Sequence, residues 1–386
     1  MIRELSSLEL LAELESETPP QLLDVRAPQR AAAGHIETAS YFQVPGSRLT
    51  ALPDPAEAGL DRSRPVTVVC DRGISSRQIA AWLARQGFEA QSLVGGMQAW
   101  MLAVAPREIS GLVGLDRLVQ FDRFGKGSLG YLAFSRPGSG GPTEALAVDP
   151  GRDLGPWERA LEESAARLVA VVDTHCHADY LSGGPALASA HGVPYRLHPA
   201  DASDPYEQHT PRPARISYEP LAEGDEIAVG DARFRVESFP GHTEGSVVLC
   251  LGSELALTGD FLFVASVGRP DLADRSDEWT DLLWASLERS RRDWAPSLRI
   301  LPAHYSSEAE RTGRRTVEAL FGELAARNPP FAIADRDSFR RWIGARVGDY
   351  PEAYRSIKRA NLGLLDVDDE SADELETGKN QCALAG

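Results

Sequence analysis

Apolar and polar positions alternate in a different way in the first hundred residues than in the rest of the chain. Residues 22–26 and 65–69 are short apolar runs that predict buried strands. After the second run, Ile79, Ala80 and Leu83 form one apolar face of a helical stretch that ends at Gly87. Strand, short loop and helix in this order indicate an α/β unit.

Beyond Pro106 the composition changes, and apolar strand-like runs follow one another closely. The runs 118–121, 130–134 and 145–150 predict antiparallel strands, the last two separated by a turn rich in Gly, Pro and Ser. A helix over residues 157–167 then leads into a buried strand, residues 168–172. The pattern therefore predicts a second domain rich in β structure.

The length of 386 residues also exceeds that of one ordinary domain. We predict a first domain over residues 1–105 and a second over 106–330, where Pro329 and Pro330 break a helix. A helical extension should follow over 331–365. Residues 366–386 are acidic and poor in large apolar groups, so we expect that tail to be disordered.

The net charge of −17 argues against binding to nucleic acid or to an anionic membrane, because like charges repel. We see no basic segment followed by an apolar one at the N-terminus, and no run long enough to span a bilayer, so we expect a cytoplasmic protein. Four scattered cysteines fit a reducing compartment better than a disulfide framework: Cys70, Cys176, Cys250 and Cys382.

Cys70 ends the second predicted strand, and Gly73 and two serines lead from it into the helix. A loop that closes on a helix N-terminus aims several backbone N–H groups at its centre, where an anion is stabilised. A cysteine in that place ionises more easily, and Arg72 adds positive charge, while Asp71 opposes it. A buried structural cysteine is the alternative. We interpret Cys70 as catalytic and Arg72 as a candidate substrate-binding residue.

A second set of polar side chains follows strand-like runs in the second domain. His175, His177 and Asp179 stand at alternate positions just after residues 168–172 and can point into one cleft. Three further runs lead to His242, to Asp260 and to His304 in the same way. Repeated delivery of imidazole and carboxylate donors predicts a metal site.

The first domain resembles the rhodanese family in four segments that occur in order. They are Leu23-Asp24-Val25-Arg26, Gly34-His35-Ile36, Val68-Val69-Cys70-Asp71-Arg72-Gly73 and Leu93-Val94-Gly95-Gly96-Met97-Gln98-Ala99-Trp100. The resemblance implies that Cys70 carries a persulfide sulfur during sulfur transfer.

The histidine and aspartate pattern resembles the metallo-β-lactamase superfamily over about residues 112–328. This implies an α+β fold, an αββα sandwich with metals at one edge. In the dinuclear hydrolases of that superfamily, a histidine follows the motif aspartate, whereas Tyr180 stands here. The loss weakens a binuclear zinc site. His175, His242 and Asp260 still suffice for the two-histidine, one-carboxylate triad of non-haem Fe(II).

The segments Thr258-Gly259-Asp260-Phe261-Leu262-Phe263 and Val267-Gly268-Arg269-Pro270-Asp271-Leu272 are similar to the persulfide dioxygenases, some of which are fused to rhodanese domains. The resemblance implies that Arg269 contacts the thiol carrier and that the triad holds one Fe(II). We assign His177, Asp179 and His304 to orienting ligands or moving protons. Tyr305 is a candidate for facing the open metal positions.

The sequence therefore predicts an α/β rhodanese domain joined to a sandwich domain that oxidises a small thiol persulfide, such as glutathione persulfide, to sulfite with dioxygen. Cys70 would move sulfur between persulfide, sulfite and thiosulfate. One alternative is a zinc thioester hydrolase resembling glyoxalase II, with zinc in place of iron. Another is a sulfur carrier whose second domain is not catalytic.

Overall fold

The computed structural model describes residues 2–207, 212–273, 275–378 and 380–384, and it divides into two compact units. The first unit contains the chain up to Ala105, together with residues 123–126 and 377–379. The second contains residues 106–122, 127–376 and 380–386. The main division between Ala105 and Pro106 falls where the composition of the chain changes.

The first unit is built on a parallel sheet in the order β1-β5-β4-β2-β3. Its strands are β1 (Arg3–Leu5), β2 (Gln21–Asp24), β3 (Tyr41–Gln43), β4 (Val66–Val69) and β5 (Ala90–Leu93). Its helices are α1 (Ser7–Leu14), α2 (Pro28–Ala32), α3 (Gly46–Leu49), α4 (Ile74–Arg85) and α5 (Gly96–Leu102).

Alternation along the central strands of this sheet gives it two buried faces. Leu22 and Val69 belong to one apolar cluster, whereas Leu23 and Val68 belong to another. Successive side chains of a strand point to opposite faces, so a strand covered on both sides is apolar throughout. This explains why the two runs read as continuous apolar segments in the sequence.

The second unit contains two sheets. The first has the order β12-β11-β10-β9-β8-β7-β6 and the second the order β13-β14-β15-β16-β17-β18. The strands of the first sheet are β6 (Ala105–Ile109), β7 (Arg117–Arg123), β8 (Ser128–Ser135), β9 (Glu144–Val148), β10 (Arg167–Val172), β11 (Tyr195–Leu197) and β12 (Glu219–Pro220). Those of the second are β13 (Glu226–Val229), β14 (Ala232–Ser238), β15 (Val247–Leu251), β16 (Leu255–Gly259), β17 (Arg299–Pro302) and β18 (Ala319–Leu320).

The core between the sheets and the layers outside them follow from the same alternation. Leu249 and Leu257 point into the apolar cluster between the sheets, whereas Val248 and Ala256 point into a second cluster beneath the outer helices. Helices of this unit are α6 (Gly155–Glu163), α7 (Gly184–His191), α8 (Ser276–Asp293), α9 (Phe321–Arg327), α10 (Arg336–Gly344), α11 (Ala353–Asn361) and α12 (Asp369–Leu375). The unit is a sandwich of two sheets with helices outside.

Two expectations hold only in part or differ from the structure. The antiparallel pairing predicted for the runs 130–134 and 145–150 is present between β8 and β9, but the sheet is mixed, because β9, β10, β11 and β12 pair in parallel. The acidic tail is not disordered over its described residues, which include α12 and a buried Cys382. Two of its acidic side chains are paired, because Arg152 bonds Asp373 and Glu376. Residues 379, 385 and 386 of the tail lie outside the described residues.

No helix in the described part of the chain is long and apolar enough to cross a membrane. All four cysteines are buried thiols rather than halves of disulfides.

Candidate metal centre and cysteine loop

The carboxyl ends of the strands place the candidate metal ligands at one region of the second unit. Strands β14, β16 and β17 run in the same direction, because β14 and β16 are both antiparallel to β15 and β17 is parallel to β16. His242, Asp260 and His304 follow these three strands, and His175 follows β10 of the other sheet. The candidate ligands therefore follow apolar runs in the sequence because they lie at the carboxyl ends of strands.

Three side-chain atoms converge in this region without a hydrogen-bond partner. The Asp260 Oδ2 atom lies 3.3 Å from the His242 Nε2 atom and 3.7 Å from the His175 Nε2 atom. All three atoms are buried and unpartnered. Leaving buried polar atoms unpaired is costly, and two imidazoles with one carboxylate are a donor set for a divalent metal ion. The residues present therefore fit a bound cation.

The protonation states of these three residues suit metal binding. Burial lowers the pKa of His242 to about 4, although the Asp260 carboxylate opposes the effect. Burial, together with the charge of His177, also holds the pKa of His175 well below its ordinary value. Burial alone would raise the pKa of Asp260, but His304 and His242 lower it. At neutral pH the site has two neutral imidazoles and one carboxylate.

Hydrogen bonds fix the orientation of both imidazoles. The Nδ1–H group of His242 donates to the backbone carbonyl of Arg269 at 2.9 Å. The Nδ1 atom of His175 lies 3.0 Å from the Thr174 hydroxyl, which donates to Asp149 at 2.9 Å. Partners at Nδ1 leave the Nε2 lone pair for a metal.

Gly268 permits this close approach. A Cβ atom at that position would lie 2.0 Å from the Asp260 carbonyl oxygen and 2.9 Å from His242 Nδ1.

His177 is held differently from His175. Its Nε2 atom lies 3.2 Å from the Asp149 carboxylate and 3.0 Å from the Tyr180 hydroxyl, and its ring stacks on that of Tyr180. Burial alone would lower the pKa of His177, but the Asp149 carboxylate raises it. Only Nδ1, which is buried and unpartnered, is available to another group. Tyr180 thus packs on the motif and anchors its second histidine.

His304 lies between two carboxylates. Its Nδ1 atom is 2.6 Å from Asp260 Oδ1, and its Nε2 atom is 3.0 Å from Asp179 Oδ2. Burial alone would lower the pKa of His304, but the two carboxylates raise it to about 10. His304 therefore connects Asp179 to the carboxylate of the triad.

A cavity of about 360 Å³ lies next to the metal motif and is lined by Cys176 and by Lys358 of α11. Lys358 is only 1% exposed. After burial and neighbouring imidazoles, its ammonium is a further cause of the lowered pKa of His175, and it also lowers that of His242. A positive charge in this cavity is therefore close enough to act on both metal-site imidazoles.

Arg269 and Tyr305, two predicted substrate-binding residues, are occupied by contacts within the protein. The Arg269 guanidinium pairs with Asp271 at 2.7 Å and donates to the Gly348 and Gln381 carbonyls. The Tyr305 hydroxyl donates to Asp122 at 3.0 Å and also bonds Arg311. Arg269 therefore connects its own loop to the backbone at Gly348 and Gln381. The Tyr305 hydroxyl bonds a buried ion pair, so it is not presented to an open metal position.

The Cys70 loop of the first unit has the geometry of an anion cradle. The Gly73 and Ser76 backbone N–H groups donate to Cys70 Sγ at 3.1 and 3.3 Å, and the Ser76 hydroxyl lies 3.2 Å away. Burial alone would raise the pKa of Cys70, but hydrogen bonds from Ser75, Ser76 and the backbone lower it. Arg72 is exposed beside this loop. The loop therefore stabilises a thiolate at Cys70.

Three residues of the site were not predicted from the sequence. Asp149 follows strand β9 just as the predicted donors follow theirs, and its positive φ of 53° is unusual for an aspartate. Nothing in the sequence around Lys358 indicated a place at the site, apart from its position on a predicted helix. Cys382 lies in the tail that we expected to be disordered, yet its Sγ lies within 4.8 Å of ligand atoms of Asp179 and His304.

Family comparisons match both parts of the chain. Residues 140–304 match the metallo-beta-lactamase superfamily, and residues 7–103 match the rhodanese-like domain. An uncharacterized protein of Mycobacterium tuberculosis is 32% identical over 206 residues, which are 48% of this chain and 89% of that protein. A hydroxyacylglutathione hydrolase of Cereibacter sphaeroides is 28% identical over 244 residues, with 57% and 89% covered.

Two solved structures share the fold. A metallo-beta-lactamase from Staphylococcus aureus has a TM-score of 0.54 and 22% identity, covering 65% of this chain and 74% of its own. ETHE1 from Myxococcus xanthus has a TM-score of 0.51 and 24% identity, covering 64% of this chain and 97% of its own. With the family matches, these likenesses confirm the predicted combination of an α/β domain and an αββα sandwich.

Proposed function

Because this chain belongs to the metallo-beta-lactamase superfamily and carries a rhodanese-like domain before it, both of them enzyme-family domains, we propose that it is a sulfur-oxidising enzyme. Its second domain would be a persulfide dioxygenase that uses one Fe(II), and its first domain a sulfurtransferase that works through Cys70. The proposed substrates are a low-molecular-weight thiol persulfide, dioxygen, and sulfite or thiosulfate.

The observation that supports the proposal most strongly is the triad of unpartnered atoms on His175, His242 and Asp260. Two neutral imidazoles and a carboxylate leave open positions on a non-haem Fe(II) ion. Iron bound there would supply the redox chemistry through which dioxygen oxidises the terminal persulfide sulfur. In the overall reaction, one persulfide, one dioxygen and one water give one thiol, one sulfite and two protons.

The remaining residues bind the substrate and handle protons in this proposal. The Lys358 ammonium attracts an anionic thiol into the adjacent cavity. His304, between Asp179 and Asp260, can hold a proton at Nε2 and return it to the thiolate product. Thr174 and Asp149 keep the Nε2 atom of His175 directed at the metal.

Cys70 would carry the sulfur in the first domain. Its thiolate attacks the outer sulfur of thiosulfate, a sulfur–sulfur bond forms, and sulfite leaves with the electron pair of the broken bond. In the reverse direction sulfite attacks the Cys70 persulfide and gives thiosulfate. The N–H groups of Gly73 and Ser76 stabilise the negative sulfur in both directions.

A zinc thioester hydrolase is the second candidate, and the similarity to a hydroxyacylglutathione hydrolase favours it. The same similarity supports glutathione as the thiol carrier. Against hydrolysis at a pair of metals stands the phenol of Tyr180, which occupies the position after Asp179 and bonds His177 instead of offering an imidazole.

The deciding experiment is metal analysis of the protein purified without oxygen, followed by oxygen uptake with glutathione persulfide and hydrolysis of S-lactoylglutathione. We expect iron, oxygen uptake matched by sulfite, and loss of both in Asp260→Asn. His191→Gln is the control, because His191 pairs with Glu158 on the surface. Zinc with thioester cleavage, and no oxygen uptake after Fe(II) reconstitution, would replace the dioxygenase with the hydrolase.

A further inference from the structure

The C-terminal segment, residues 380–384, pairs with the backbone of a loop beside the triad. The Arg269 N–H group donates to the Cys382 carbonyl at 2.8 Å, and the Leu384 N–H group donates to the Val267 carbonyl at 3.2 Å. An antiparallel β-bridge lies between these two bonds. The segment therefore adds a short strand to this loop.

The backbone with which the segment pairs also orients one imidazole of the triad. The Arg269 carbonyl accepts a hydrogen bond from the Nδ1–H group of His242 at 2.9 Å. At Gly268 a Cβ atom would lie 2.0 Å from the Asp260 carbonyl oxygen and 2.9 Å from His242 Nδ1, so this backbone packs directly on two triad residues. A shift of residues 267–269 would therefore move the group that holds His242 in place.

The same segment contacts the loop that carries His175. Cys382 belongs to a small buried cluster that includes Ala178 of the metal motif and Tyr354 of α11. The Tyr354 hydroxyl accepts from the Gln381 N–H group at 2.7 Å. The C-terminal segment therefore connects the two loops that hold the imidazoles of the triad and fastens both of them to α11.

We propose that the C-terminal segment is a positioning element of the metal centre, which holds residues 267–269 and the loop of His175 in the arrangement that binds a divalent ion. Thermodynamic linkage makes this effect reciprocal. If release of the segment weakens metal binding by a certain factor, the bound metal lowers the released fraction of the segment by the same factor. The inference goes beyond the proposed function, because it applies to whichever divalent ion the triad binds.

The first test is hydrogen exchange in the wild-type, full-length protein with and without Zn²⁺, a redox-inert probe. The amides of Arg269 and Leu384 are the reporters, because their hydrogen bonds join the segment to the loop. We expect Zn²⁺ to slow exchange at both by about 10- to 100-fold, the range typical of groups that orient metal ligands. His175→Ala removes a triad ligand and should abolish the slowing. Exchange that Zn²⁺ does not change, or slowing that persists in His175→Ala, overturns the inference.

The second test is chelator competition for Zn²⁺. Deletion of residues 380–386 should raise Kd by the factor by which Zn²⁺ slows exchange. Leu384→Pro removes the N–H group that bonds Val267 and should also raise Kd, whereas Leu384→Ala keeps this group and is the matched control. Cys382→Ser keeps the main-chain contacts and should bind Zn²⁺ as the wild type does.

Three results of the competition experiment would overturn the inference. They are a wild-type Kd in the deletion variant, equal effects of Leu384→Pro and Leu384→Ala, and a loss in Cys382→Ser as large as that of the deletion. Far-ultraviolet circular dichroism of each apoprotein checks that the variants fold, and if the deletion variant does not, the exchange measurement on the wild type decides. Neither test measures oxygen uptake, so failure here is distinct from failure of the proposed dioxygenase.

Discussion

Replacing Lys358 with methionine tests whether the cavity beside the metal centre binds the carboxylates of the thiol carrier. Lys358 is almost fully buried, and its ammonium lies 6.0 Å from the centroid of the Trp279 ring, another residue of the cavity wall. Methionine retains a flexible apolar side chain and removes the charge. We expect weaker binding of glutathione persulfide with little change in kcat.

The acidic residues of the cavity wall do not neutralise the Lys358 ammonium, because each of them has other partners. Asp201 accepts hydrogen bonds from the backbone of Cys176 and Gly245, and Asp204 pairs with Arg359 at 2.7 Å. Glu244 and Glu278 both pair with Arg275. Lys358 is therefore the cation of the cavity wall best placed for an incoming carboxylate.

The expected magnitude follows from one charge-assisted hydrogen bond. Such a bond contributes about 1.5–3 kcal/mol. Since about 1.4 kcal/mol corresponds to a tenfold change in affinity, KM should rise roughly 10- to 150-fold. The bond is present in both the ground state and the transition state, so its loss should appear in KM rather than in kcat.

The assay is initial-rate oxygen uptake with two substrates, glutathione persulfide and a simple alkyl persulfide without carboxylates. Lys358→Met should raise KM for the first and leave it unchanged for the second, while Lys358→Arg should recover part of the affinity. Arg340→Gln is the matched control, because it removes a positive charge from α10 that pairs with Asp281 on the surface. Equal effects on both substrates, or an unchanged KM for glutathione persulfide, would refute carboxylate binding by Lys358.

Three further predictions concern the residues around the metal. Tyr305→Phe should lower the free energy of unfolding by about 2 kcal/mol in urea while leaving KM unchanged, because it removes a hydrogen bond to the buried Asp122 carboxylate; a raised KM would return Tyr305 to the substrate site. Thr174→Val should weaken metal binding about 10- to 100-fold in chelator competition, because it releases Nδ1 of His175; unchanged affinity would contradict that role. Since the pKa of His242 is lowered to about 4, the triad should keep its metal as the pH falls below 6 and lose it only near pH 4, when the imidazole binds a proton. Metal content after dialysis at a series of pH values measures this, and loss near the ordinary histidine pKa of about 6.5 would contradict it.

The parts of the site that depend on local sequence were predictable. The apolar run of β16 ends beside Asp260, and that of β17 ends beside His304. The position of each ligand could therefore be predicted from the residues next to it in the sequence. The Cys70 loop was predictable for the same reason, since Gly73 and the N-terminus of α4 are its neighbours in the chain.

The parts that depend on distant contacts were not predictable. Cys382 reaches the centre because residues 380–384 pair with residues 267–269, which no periodicity reveals. Composition suggested a disordered tail, yet Glu376 is buried and accepts a hydrogen bond from the Leu181 N–H group. Tyr305 follows His304 in sequence, but its hydroxyl is directed at Asp122.

The formal charge of the proposed triad site determines where an anionic substrate is attracted. Two neutral imidazoles and the Asp260 carboxylate would leave a divalent ion on the triad with a net positive charge, to which the Lys358 ammonium adds. The negative charge of a persulfide should therefore be drawn to the triad from the cavity that Lys358 lines.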